Sequence, residues 1–211
     1  MGRAFTFQTA SQCRLNAFEP WQRRLSPISH VAAFDFGTTY SGYAFSFRDD
    51  PLKVQTNQIW YSEGKFVSLK TPTSVLLNPE GEFDSFGFNR YASKAEDDEH
   101  EGWRLFRRFK MVLHNNKELS RATTVEDIEG NSHQALPIFS MAIKFLQKHL
   151  LQAVANQTVG VLEKDISYVI TVPAIWDDNA KEFIRAAIEE VWNLNHAVTA
   201  YIAVYKSHTS T

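Results

Sequence analysis

Cysteine is nearly absent: Cys13 is the single thiol in 211 residues. One thiol closes no intrachain disulfide and excludes every cysteine-rich zinc site. It also fits a reducing compartment. An excess of one charge is missing as well, since 22 Lys plus Arg stand against 24 Asp plus Glu, a net charge of −2. That balance excludes a bulk electrostatic binder of nucleic acid, so none is expected as a partner. No uninterrupted apolar run reaches the length of a membrane span, and no membrane partner is expected. The longest apolar stretch, Tyr168 to Trp176, is broken by Thr171 and Pro173. The seven histidines are scattered, with no pair at metal-ligand spacing. No repeat and no low-complexity tract occurs.

What is present is a core. Apolar residues make up 44% and Phe occurs 16 times, enough for a globular domain. The segment from Met1 to His30 stands apart. Arg3, Arg14, Arg23 and Arg24 face one acid, Glu19. Residues 1–30 read as a disordered basic leader. An Arg- and Ser-rich, acid-poor start also fits a mitochondrial presequence, but Pro20 and Pro27 spoil an amphipathic helix. A cytoplasmic location is therefore expected, with mitochondria as the alternative.

From Val31 the pattern turns to buried strands. Residues 31–36, 40–47 and 52–60 predict a β-meander, and residues 73–77 and 82–88 a hairpin across Asn78-Pro79-Glu80-Gly81. Glu101 to Leu113 places Trp103, Phe106, Phe109 and Leu113 on one face of an expected helix. The acid cluster Glu96 to Glu101 reads as a solvated face or a set of weak surface pairs with Arg104, Arg107 and Arg108. Glu118 to Asn131 reads as irregular. Gln134 to Ala155 is the strongest helix, with Asn131 and Ser132 as candidate caps and Pro137 in its first turn. A strand over 166–172 ends at Pro173. A helix opened by Asp177 and Asp178 follows, with Ala180, Phe183, Ala187 and Val191 as its apolar stripe. A last apolar stretch spans 197–205. The order predicts an α/β domain with a mixed sheet flanked by helices.

One segment carries chemistry. In Asp35-Phe36-Gly37-Thr38-Thr39-Tyr40-Ser41-Gly42 a strand ends on an acid and returns through a Gly-hydroxyl-hydroxyl turn. Gly37 permits a tight turn and close approach of a ligand. The N–H groups of Gly37, Thr38 and Thr39 suit an anion, and Asp35 suits Mg²⁺ directly or through water. Alone, such a hairpin fits an ordinary tight turn equally well.

The segment resembles the first phosphate loop of the actin-like ATPase superfamily, and of the heat-shock protein 70 (Hsp70) family above all. Lys70-Thr71-Pro72-Thr73-Ser74-Val75 is similar to the family's strand after the meander. Phe109-Lys110-Met111-Val112-Leu113 is similar to its Lys-bearing helix. Tyr168 to Trp176 is similar to its Val-Thr-Val-Pro-Ala strand and turn. Trp176, the Phe-Lys-Met around Lys110 and Asp84-Ser85-Phe86-Gly87 resemble the divergent protein 12 branch of the heat-shock protein 70 family. A sugar-kinase or actin relative shares the first loop, but Val-Pro-Ala followed by an aromatic speaks against it. The resemblance implies a ribonuclease-H-like first lobe over residues 31–192, followed by a divergent tail over 193–211. It implies ATP or ADP with Mg²⁺ as cofactors and chaperone partners or clients in a stress response. By the same resemblance Asp35 orders the Mg²⁺ water shell, and Gly37, Thr38, Thr39 and Tyr40 line the phosphate loop. Lys110 places its charge near the γ-phosphate as the catalytic group, and Pro173 relays nucleotide state between lobes.

The match has gaps. The family's crossing helix carries a Glu where this chain reads Asn195 to Tyr205 without one. A second phosphate loop and the adenosine-binding residues are missing from these 211 residues. The expectation is a truncated ATPase domain whose turnover is lost. The alternative is a non-catalytic interaction module or decoy of a full-length relative.

Overall fold

The structure is a computed structural model that describes residues 29–56, 60–61, 67–88, 101–114, 116–192 and 199–205. The leader up to residue 28 and the acid cluster at 96–99 lie outside the described residues.

In chain order the strands are β1 (His30–Phe36), β2 (Tyr40–Phe47), β3 (Gln55–Thr56), β4 (Trp60–Tyr61), β5 (Val67–Ser68), β6 (Thr71–Pro72) and β7 (Ser74–Leu77). Then come β8 (Phe83–Phe86), β9 (Arg104–Arg107), β10 (Thr124–Glu126) and β11 (Ser132–Gln134). Helix α1 (Ala135–Ala155), β12 (Ile166–Pro173), helix α2 (Asp178–Trp192) and β13 (Thr199–Tyr205) complete the chain. The main sheet runs β13-β12-β1-β2-β3, with β6 also paired to β2. β1 and β12 are parallel, as are β12 and β13, while β2 is antiparallel to both its neighbours β1 and β3. This is the mixed α/β sheet expected, and its ladder to β13 continues past residue 192.

Alternation along β1 sorts its side chains. Ala32, Phe34 and Phe36 are buried, whereas Val31, Ala33 and Asp35 on the other face are half-buried. Phe36 meets Phe139 of α1 edge-on, and Phe34 lies against Trp192 of α2, so both helices cover the same face. Tyr43, Phe45, Tyr168 and Ile170 join that core. Asp35 is left on the face the helices do not cover.

Several expectations are corrected. Residues 101–113 form no α-helix. Gly102 (φ 78°) and Arg108 (φ 51°) break the backbone on either side of β9, and residues 109–113 follow as a short 3-10 helix. β9 pairs along all of β7, burying the adjacent Leu105 and Phe106 completely. Residues 118–131 contain β10, which pairs with β11. Ser132 therefore lies in a strand, and Gln134, with no side-chain cap, precedes α1. Pro137 does sit in the first turn. The third strand is short: Gln55–Thr56 pairs with β2, while Trp60 belongs to a separate hairpin with β5. Arg104 contacts Asp127 (3.6 Å) and His133 (2.9 Å) from the β10–β11 hairpin. The turn itself holds the Asp127 carboxyl below its usual range, through the amides of Asn131 and Glu129 against the opposing effect of burial.

Candidate functional site

Parallel strands place their carboxyl ends at one edge, and in open α/β sheets ligands bind there. Residues 37–39 follow β1 and residues 174–177 follow β12, so the two turns adjoin. Asp35 is the penultimate residue of β1.

Gly37 is fixed by space. A Cβ there would stand 2.3 Å from the carbonyl oxygen of Tyr40, closer than any side chain tolerates. No residue of 37–39 has a positive φ, so the turn is tight without being left-handed. Thr73 secures it from the neighbouring segment. Its hydroxyl donates to the Gly37 carbonyl (2.8 Å) and lies 2.7 Å from Ser41 Oγ, and its amide donates to the Thr39 carbonyl (2.9 Å). With Thr73 buried, these bonds hold the loop rigid from below, while Thr39 and Tyr40 stay exposed.

Lys110 lies in the 3-10 helix and is buried, 2% exposed. Its Nζ donates to the Phe36 carbonyl, at the last residue of β1. The ammonium also sits over the rings of Phe36 (4.4 Å) and Trp176 (4.8 Å). Burial pushes its pKa down to about 7, with the Asp35 charge opposing. A solvated helix residue is thereby excluded: the amine is buried against the end of β1. Pro173 ends β12 opposite Tyr205, and its carbonyl accepts from the Trp176 amide (3.2 Å), which turns Trp176 inward over Lys110.

Sequence reasoning missed two partners. Trp176 entered only as a mark of resemblance, yet it covers Lys110. Lys70 entered only as the start of a strand motif, yet its Nζ lies 2.5 Å from Asp35 Oδ2. An acid at a turn followed well downstream by a lone Lys before Thr-Pro was the only available signal. Among the described residues no three His, Cys, Asp or Glu converge on one point. A Mg²⁺ ion keeps most of its waters and needs one or two carboxylates plus phosphate oxygens. Asp35, half-exposed beside the hydroxyl-bearing loop, fits that mode in company with a phosphate.

A sheet in which only β2 runs against β1, β3, β12 and β13, with an acid-Gly-Thr-Thr turn after β1, makes the chain an α/β domain with the mixed sheet that the resemblance to an actin-like ATPase first lobe implies. No protein-family model matches the chain. It is 42% identical over 164 residues to heat shock 70 kDa protein 12B of Homo sapiens, covering 76% of this chain and 24% of that protein. It is 38% identical over 161 residues to heat shock 70 kDa protein 12A of Homo sapiens and of Mus musculus, covering 74% of this chain and 24% of each. Over those residues this chain is similar to the protein 12 members of the heat-shock protein 70 family. It spans about a quarter of the length of these relatives, a share that fits an N-terminal lobe. Among solved structures, MreB5 of Spiroplasma citri bound to ADP aligns with a TM-score of 0.41 at 12% identity, over 85% of this chain and 39% of that one. A non-polymerising MamK mutant bound to AMPPNP gives 0.41 at 12% identity, over 82% and 40%.

Proposed function

We propose that this lobe binds the phosphates of ATP or ADP at residues 37–40, with Mg²⁺ held by Asp35 through water. The observation that carries the reading is the Gly37–Thr39 turn, locked by Thr73 at the carboxyl end of β1 with Lys110 beneath it. Loop amides and the Thr38 and Thr39 hydroxyls would grip phosphate oxygens. Bound Mg²⁺ would neutralise phosphate charge. Lys110 would lend its charge near the γ-phosphate, since an approaching anion favours the protonated amine. Pro173, joined to Trp176 through the turn, would carry a change at the phosphate toward β13.

These 211 residues alone are proposed not to turn ATP over. They hold neither the family's second phosphate loop nor its crossing-helix Glu, and one preorganised group is worth on the order of 3 kcal/mol of transition-state stabilisation. Single-turnover hydrolysis above buffer background by the purified chain overturns this part. Calorimetric titration with ADP and Mg²⁺ tests binding: micromolar affinity abolished by Asp35→Ala or Thr38→Ala is expected. A second reading, a non-catalytic interaction module, is favoured by the exposure of Tyr40, Ile175 and Val204 around the same edge. No nucleotide binding, together with capture of a full-length relative in a pull-down, selects it. Chaperone clients and a role in stress response are part of the same proposal for this chain.

A further inference from the structure

The Lys70–Asp35 pair sits where the proposed metal would meet the protein. Asp35 faces Gly42 directly across the β1–β2 ladder. Gly42 has no side chain on the uncovered face, and Lys70 runs through the space this leaves. A Cβ at position 42 would lie 3.2 Å from Lys70 Cγ and 3.1 Å from the Leu69 carbonyl oxygen, tight enough to push the lysine stem aside. The backbone of Lys70 is fixed at both ends. Ser68 Oγ accepts from the Lys70 amide (3.2 Å) and donates to the Lys70 carbonyl (2.6 Å). The next residue, Thr71, is fully buried and pairs with Ser41 of β2. The two charged side chains are nevertheless 43% and 45% exposed, so a ligand reaches both. The result is a pinned backbone with an exposed cationic head resting on the carboxylate beside the phosphate turn.

We infer that Lys70 is a tethered cation of this site: it occupies Asp35 in place of a divalent metal and supplies positive charge to a bound diphosphate when metal is scarce. This rests on the phosphate-binding reading above. Two consequences follow from competition for one carboxylate. Metal must displace Lys70 from Asp35, so removing the lysine charge strengthens divalent binding. Without metal, the lysine is an exposed cation beside the phosphate turn, so removing it weakens metal-free diphosphate binding.

The full chain and its Lys70→Gln, Lys70→Arg and Gly42→Ala variants are titrated with ADP in EDTA and again in excess Mg²⁺. Mn²⁺ alone is titrated by electron paramagnetic resonance. For Lys70→Gln, metal-free ADP affinity should fall about fivefold, the scale of one part-exposed charge contact. Its Mg²⁺-bound affinity should hold or rise, and Mn²⁺ should bind more tightly than to the unaltered chain. Lys70→Arg should retain metal-free binding, and Gly42→Ala should behave like Lys70→Gln. Equal losses with and without metal, or unchanged Mn²⁺ affinity in Lys70→Gln, overturn the inference. If the unaltered chain binds no ADP under either condition, the phosphate-binding reading fails by itself. The Mn²⁺ arm then still decides whether Lys70 competes for Asp35.

Discussion

Lys110 is a lysine in an unfavourable place. Taking an ammonium out of water costs free energy that one carbonyl and two aromatic faces only partly return. The unfolded chain keeps the ordinary lysine value near 10.5, while burial brings the folded value to about 7. Below pH 7 the amine is charged in both states, and the full burial cost weighs on the fold. As pH rises from about 7 to 10.5 the folded state sheds the proton first, and the cost fades. Lys110→Met is therefore expected to stabilise the protein, on the order of a few kcal/mol at pH 6.5 and much less at pH 9.5. Thermal melts at the two values check it, and equal gains at both would place the amine's titration elsewhere. Thr73 is the other residue whose role is local and measurable. Thr73→Ala removes the hydroxyl that bonds Gly37 and Ser41, with an expected loss of about 1–2 kcal/mol in urea melts. ADP affinity should fall with it, because the loop it locks is the proposed phosphate site.

Among the elements, the stretch before the 3-10 helix teaches most. Trp103, Phe106, Phe109 and Leu113 have helical spacing, but helical spacing decides only what one chain segment can do alone. Pairing with β7 gives β9 a ladder of hydrogen bonds and buries Leu105 as well as Phe106. Gly102 accepts a positive φ without penalty, whereas Arg108 adopts one at a cost of roughly 1 kcal/mol. Arg108→Gly is thus expected to leave stability unchanged or raise it by about 0.5–1 kcal/mol, where a mid-helix glycine would lower it by a similar amount. The melting temperature of that variant separates the two geometries. Helix α1 was legible because its apolar residues step by three or four over 21 residues, a pattern too long for a competing strand.

At the scale of the molecule, one edge of the sheet carries both the proposed chemistry and exposed apolar surface. Ile175 is 73% exposed and Val204 53%, and β13 is the last strand in its sheet among the described residues. A sheet-edge strand with exposed apolar side chains invites association. The chain is expected to show a mass that grows with concentration in light scattering, and Val204→Lys should reduce it. A clean monomer at all concentrations would count against the exposed edge as an interface.

By itself the sequence determined most of the order of strands and helices, the acid-Gly-Thr-Thr turn, and the resemblance to the heat-shock protein 70 family. Those are properties of neighbouring residues: alternation, helical spacing and a short run of defined chemistry. The tertiary structure alone decided that Lys110 is buried under Trp176, that Lys70 rests on Asp35 through the gap at Gly42, and that residues 104–107 are a strand. Each of those depends on residues far apart in the chain. Strand pairing, burial and charge pairing are set by what the fold brings alongside, and no local pattern contains that information.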